Sequence, residues 1–158
     1  MRCFIVRIVF LCFCGLNGVS AMAQANDGSV ETQVGSIALL RIPIGSQLSR
    51  DHNVAPDFGL YYVTLNQRII LGVYYGNAPD FVGNGGTTRI MIGDCAAEAV
   101  LSMNDGNYNR DILMKLDDTK DFPQYMHLFY RNLDHQNAET ADRMIDTIRL
   151  LQGRRCKA

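Results

Sequence analysis

The 158-residue chain has no tryptophan, only 4 prolines and only 3 histidines. His52, His127 and His135 are widely separated and lack metal-ligand spacing, so no zinc site is expected. There is no Gly-x-Ser-x-Gly elbow, no paired glutamates and no aspartate-rich box, which removes the signatures of the commonest hydrolase and metal-dependent chemistries. Charge of one sign is lacking as well. With 15 basic and 16 acidic side chains the formal net charge is −1, and nothing draws the chain toward nucleic acid. No apolar run approaches the roughly 20 residues of a membrane-spanning helix.

What is present starts with a leader. Arg2 and Arg7 precede an apolar run from Ile8 through Leu16, broken only by Gly15, and Ala21-Met22-Ala23 follows with small residues at both specificity positions. That order of n-region, h-region and cleavage site predicts a secretory signal peptide over residues 1–23. Cys12 follows Leu11 and Cys14 follows Phe13, which is not the setting of a lipid-anchored cysteine. Removing the leader leaves 13 basic against 16 acidic side chains on about 135 residues, enough for one core. The reading is therefore of an exported protein, periplasmic or secreted, with no transmembrane segment in the mature chain.

Of the 5 cysteines, Cys3, Cys12 and Cys14 leave with the leader. Cys95 and Cys156 remain, an even pair in an oxidising compartment and hence a disulfide candidate.

Residues 24–35 are polar, with little to bury, and read as a flexible leader to a single domain over 36–158. Ile37, Leu39, Leu40 and Ile42 suggest a strand that Pro43 closes. Two apolar and aromatic runs between Asp57 and Gly76 meet at Leu65-Asn66-Gln67-Arg68, the pattern of a hairpin with a two-residue loop. Counting outward from that loop pairs Val63 with Ile70, Tyr61 with Gly72 and Gly59 with Tyr74, so that a ring covers each glycine. Both faces of the hairpin are apolar, which predicts a central position.

Asp94 to Met103 admits two readings, a short helix capped by Asp94 or another strand. Strands are expected at Arg89–Ile92, Asp111–Leu116 and Tyr125–Leu133, with turn chemistry from Asn104 to Arg110. The last segment predicts a helix capped by Asn137, with Ala141, Met144, Ile145, Ile148 and Leu151 on one side, a Glu139–Arg143 pair and Gly153 as the stop. The fold class expected is α+β, a single mostly antiparallel β-sheet with a C-terminal amphipathic helix packed on it.

Cys95 at a helix N-terminus would be a nucleophile with His127 or His52 as base, the alternative to the disulfide. Gly83, Asn84, Gly85, Gly86, Thr87 and Thr88 form a flexible connection or a ligand-gripping loop; the spacing matches neither a Walker A loop nor a dinucleotide fingerprint. Asp105, Asn107, Asn109 and Asp111 alternate as oxygen donors, but a calcium loop would need glycine where Arg110 stands and a bidentate acid where Leu116 stands. His127 shares a strand face with Tyr125, Phe129 and Arg131, the setting of a hydrogen-bonded structural histidine. Arg149, Arg154, Arg155 and Lys157 read as solvated cations at a helix end.

Tyr61, Tyr62, Tyr74 and Tyr75, with Tyr108, are candidates for a contact surface. No cofactor is implied. The function expected is a small exported, non-catalytic binding or interaction protein, its partner another envelope or extracellular protein or a small polar ligand. The alternatives are a thiol- or histidine-dependent hydrolase or transferase and an accessory subunit of an envelope complex.

Overall fold

The computed structural model describes residues 28–54, 57–81, 86–117 and 122–157. The hairpin forms where turn chemistry places it: β4 (Gly59–Leu65) and β5 (Arg68–Gly76) are joined by Asn66 and Gln67, both at positive φ, 50° and 65°. This is the left-handed pair that a two-residue loop requires, and it is imposed on Gln67 by the strands on either side. Leu65 faces Arg68 and Thr64 faces Ile69, after which the register shifts between Val63 and Thr64. Ile70 is the extra residue. Beyond it Val63 faces Leu71, Tyr62 faces Gly72, Leu60 faces Tyr74 and Gly59 faces Tyr75, one place away from the unbulged count.

The hairpin lies inside an eight-stranded sheet. From one edge run β3 (Gln47–Arg50), β4, β5, β9 (Tyr125–Leu133), β8 (Asn107–Asp117), β7 (Cys95–Asn104) and β6 (Thr88–Ile92), all antiparallel, while the short β11 (Arg155–Cys156) pairs with the end of β8. Cys95 to Asn104 is thus a strand, so Asp94 caps no helix. The turn chemistry expected over Asn104 to Arg110 contracts to Asp105 and Gly106, at φ 50° and 77°, with strand on both sides.

A second, three-stranded sheet corrects the single-sheet expectation. Its order is β1 (Ser29–Val34), β2 (Ala38–Pro43), β10 (Arg149–Leu150). Residues 29–34, read from composition as part of a flexible leader, pair with β2 from Ser29↔Pro43 to Val34↔Ala38. An edge strand needs little apolar area, because its partner satisfies one side of the backbone and water the other. Only Val34 of β1 is buried, and Glu31 pairs with Arg149.

The helix α1 (His135–Ile145) packs against β9, β5 and β8 of the large sheet and β2 of the small one. Its cap is Asp134 rather than Asn137: the Asp134 carboxylate accepts from the Asn137 backbone N–H at 2.9 Å. Ala138, Ala141, Met144 and Ile145 are buried. The helix stops before Ile148 and Leu151 because Thr147 Oγ1 donates to the Met144 carbonyl at 2.7 Å and accepts from the Arg41 N–H at 2.9 Å, and the chain then pairs with β2 as β10. Glu139 meets His135 at 3.6 Å, while Arg143 donates to Thr140. Arg110 of β8 holds Asp142 of the helix at 2.6 Å, and burial, followed by the Asp142 charge, pushes the Tyr130 hydroxyl nearby up to about 12. Leu40, Leu71, Met114, Leu128, Met144 and Ile145 lie in the core between the sheets and the helix.

Candidate functional site

Among the described residues, the helix and small sheet cover one face of the large sheet and leave the other open. Along β9, Met126, Leu128 and Tyr130 turn into the core, while Tyr125, His127, Phe129 and Arg131 alternate onto the open face. The register extends this face sideways. One row crosses Arg89, Glu98, Leu113, His127, Tyr74 and Leu60; the next crosses Asp111, Phe129, Gly72 and Tyr62.

At its centre is a polar cluster. His127, 3 % exposed, bonds Asp111 Oδ1 through Nε2 at 2.8 Å, and Arg131 Nη2 donates to the same oxygen at 2.6 Å. Arg131 Nη1 donates to the carbonyls of Arg110 at 3.1 Å and Tyr130 at 3.0 Å, which fixes the guanidinium 5.5 Å from the Phe129 ring centroid. Burial raises the Asp111 pKa, but the hydrogen bonds from His127 and Arg131 outweigh it and hold the carboxyl below its ordinary value. The two contacts on one carboxylate oxygen orient the imidazole and the guanidinium relative to each other. Around the imidazole, Phe129 lies at 5.1 Å and Phe81 meets it edge-on at 5.8 Å.

Beside this cluster is a cleft of about 330 Å³ whose walls include Phe58, Leu60, Tyr74, His127, Phe129 and Arg131, with Asp80 at the same opening. Tyr74 is held in place by Phe58 at 5.4 Å and by the Ala78 N–H, which donates to its hydroxyl at 3.1 Å. Phe129 lies over Gly72, where a Cβ would fall inside the ring. The glycine that sequence counting assigned to Tyr61 is therefore covered from β9, and Gly59 is covered by Tyr75.

The four candidate contact tyrosines separate. Tyr62 and Tyr74 are on the open face, whereas Tyr61 and Tyr75 turn inward and stack at 5.9 Å. Tyr75 is only 8 % exposed, and burial, then its hydrogen bond with Tyr61, pushes its hydroxyl up to about 12. Tyr108 meets His135 edge-on at 5.8 Å.

Cys95 and Cys156 form a disulfide with Cα atoms 5.3 Å apart. Cys95 alternates with Ala97, which faces Met114 and through it Met126, so it lies on the covered side of the sheet and His127 on the open side. The structure does not bring the proposed nucleophile and base together, and His52 is exposed elsewhere. Of the glycine-rich segment, Gly83, Asn84 and Gly85 lie outside the described residues; Gly86 has φ 103°, and Thr87 and Thr88 lead into β6. The alternating donors from Asp105 to Asp111 follow a turn and a strand: Asn109 accepts from the Asn132 N–H at 2.8 Å and Asp111 serves His127. Among the described residues no group of three or more His, Cys, Asp or Glu is placed to hold a metal ion, and no helix is long and apolar enough to cross a membrane.

Sequence reading missed Asp111 as the partner of His127. Its only local signal is strand parity, which puts Arg131 on the face of His127; the contribution of β8 depends on register alone.

A second groove, of about 530 Å³, opens nearer β6 on the same face, with Thr87, Arg89, Glu98, Lys115, Tyr125 and Lys157 among its walls. A third, of about 550 Å³, adjoins the disulfide.

No protein-family description matches the chain, and no characterised protein matches it by sequence. Among solved structures it is similar to a crystal structure of a protein from Bacteroides thetaiotaomicron VPI-5482, with 12 % identity and a TM-score of 0.40, over 73 % of this chain and 46 % of that one.

Proposed function

We propose that this is an exported, non-catalytic binding module that takes a small, polar, ring-bearing ligand in the cleft between Tyr74 and Phe129. One observation carries the reading. The open face of an antiparallel sheet ordinarily alternates to polar side chains, yet here it presents Leu60, Tyr62, Tyr74, Phe129 and Leu113, only partly covered, around two hydrogen-bonding groups held rigid by Asp111. Aromatic walls supply contact area for a planar ring, while the imidazole and guanidinium supply direction. The thiol-enzyme alternative loses support because Cys95 is bonded and faces the other way.

The test is a titration of the exported protein with benzoate and, separately, methyl glucoside, followed by backbone NMR. Saturable shifts at Tyr74, His127, Phe129 and Arg131 are expected with at least one probe, and Tyr74→Ala should weaken that binding by up to about ten-fold, the scale of one aromatic contact. No shift in the cleft with either probe, or affinity indifferent to Tyr74→Ala, overturns the proposal.

A further inference from the structure

The groove beside β6 differs in chemistry from the cleft and does not rest on the reading given to it. Register sets Arg89 opposite Glu98 and Lys115 opposite Tyr125. A third cation arrives from the far end of the chain. Cys156 is tied to Cys95 and pairs with Leu116, and the next residue, Lys157, donates its backbone N–H to the Lys115 carbonyl at 2.9 Å. The side chains of Arg89, Lys115 and Lys157 thus line one groove of about 530 Å³ in which Glu98 is the acid.

These cations are not matched as others in the chain are. Arg68, Arg110, Arg131 and Arg149 each hold an aspartate or glutamate, whereas among the described residues neither Arg89, Lys115 nor Lys157 is in an ion pair. Lys115 Nζ lies 6.0 Å from the centroid of the Tyr125 ring, which attracts the ammonium without neutralising it. Among the described residues that line it, the groove sets three cations against one acid, on a chain whose net charge is −1, which favours a locally positive potential. The helix-end explanation of the basic tail does not apply, since α1 ends at Ile145 and Lys157 is carried by the disulfide-tied β11.

We infer that this groove is an anion-binding site for a multivalent oxyanion, phosphate or carboxylate, with Arg89, Lys115 and Lys157 as its ligands, Glu98 as a brake on affinity, and the Cys95–Cys156 disulfide as the device that positions the third cation. Each exposed charge contributes modestly, so a multivalent ligand is the class that fits; a single monovalent carboxylate would be bound weakly.

The test is calorimetric titration of the oxidised protein at low salt with sodium tripolyphosphate and with tricarballylate, NMR reporting the site. Saturable binding that perturbs Arg89, Lys115, Tyr125 and Lys157 is expected. The tighter of the two probes identifies phosphate or carboxylate as the preferred chemistry. Lys115→Gln and Lys157→Gln, both at exposed positions, should each weaken binding by up to about five-fold, and Glu98→Gln should strengthen it. The Cys95→Ser/Cys156→Ser variant keeps every cation and should still weaken binding as Lys157→Gln does. Failure of both polyanions to saturate, or unchanged affinity in the Lys115→Gln/Lys157→Gln double variant, overturns the inference. Because the cleft is tested with uncharged and monovalent rings and read at other residues, either site can fail without the other.

Discussion

Asp111 receives two hydrogen bonds on one oxygen, from His127 and from Arg131, and through them it fixes the orientation of both polar groups in the cleft. Replacing it with Asn removes the charge and leaves His127, almost fully buried, with a weaker partner. Asp111→Asn should destabilise the protein by about 1.5–3 kcal/mol at neutral pH, the scale of a hydrogen bond to a charged group, measurable by urea unfolding. The pH dependence has a definite sign. The folded-state pKa lies below the ordinary value of an aspartate, so the unfolded chain binds the proton more readily, and the contribution of Asp111 is present above that ordinary value and lost as pH falls through the folded pKa. Asp111→Asn should therefore flatten the fall in stability below about pH 4; an acid limb identical to wild type would show that the carboxylate is not held by its neighbours.

Among elements, the bulge at Ile70 and the disulfide do the most to shape the two faces. The bulge shifts β5 by one residue against the outer half of β4, which places Tyr62 beside Gly72 and sends Tyr75 inward over Gly59 and Gly35. Without it, every side-chain pair beyond Ile70 would be displaced by one position. The disulfide holds β11 to the start of β7 across a sequence separation of 61 residues. A loop of that length corresponds to roughly 4 kcal/mol in the chain-entropy description, so Cys95→Ser/Cys156→Ser should lower unfolding stability by up to that amount. Non-reducing mass spectrometry should find the mature protein lighter by two hydrogens than its dithiol, with one peptide joining Cys95 to Cys156. Two alkylatable thiols in the oxidised, folded protein would contradict the bond.

At the scale of the whole molecule, the large sheet has, among the described residues, one covered face and one open face. The helix and the small sheet seal the first, the covered side on which Cys95 lies, while the second carries an aromatic cleft over β4, β5 and β9 and a basic groove over β6, β7 and β8. Export itself is the prediction at this scale. Amino-terminal sequencing of the exported protein should begin at Gln24, after Ala21-Met22-Ala23 and shortly before β1 at Ser29. A first residue of Met1, or one well past Asn26, would refute the assigned leader.

The features legible in the sequence were those whose causes lie close together along the chain. Alternation marked β9, and the Asn66-Gln67 turn placed the hairpin. Counting cysteines after removal of the leader paired Cys95 with Cys156, and apolar spacing found the helix through Ile145. Tertiary structure decided the rest. Asp111 meets His127 across 16 residues, Arg110 meets Asp142 across 32, and Lys157 reaches Lys115 through the pairing of β11 with β8 beside the Cys95–Cys156 bond. The polar β1 is a strand because β2 offers it an edge, and the helix ends early because β10 finds the opposite edge of β2. The physical reason is common to all of them. Side-chain parity and turn conformation are local steric properties, whereas which strands become neighbours, and in what register, is settled only when the whole apolar area is buried at once.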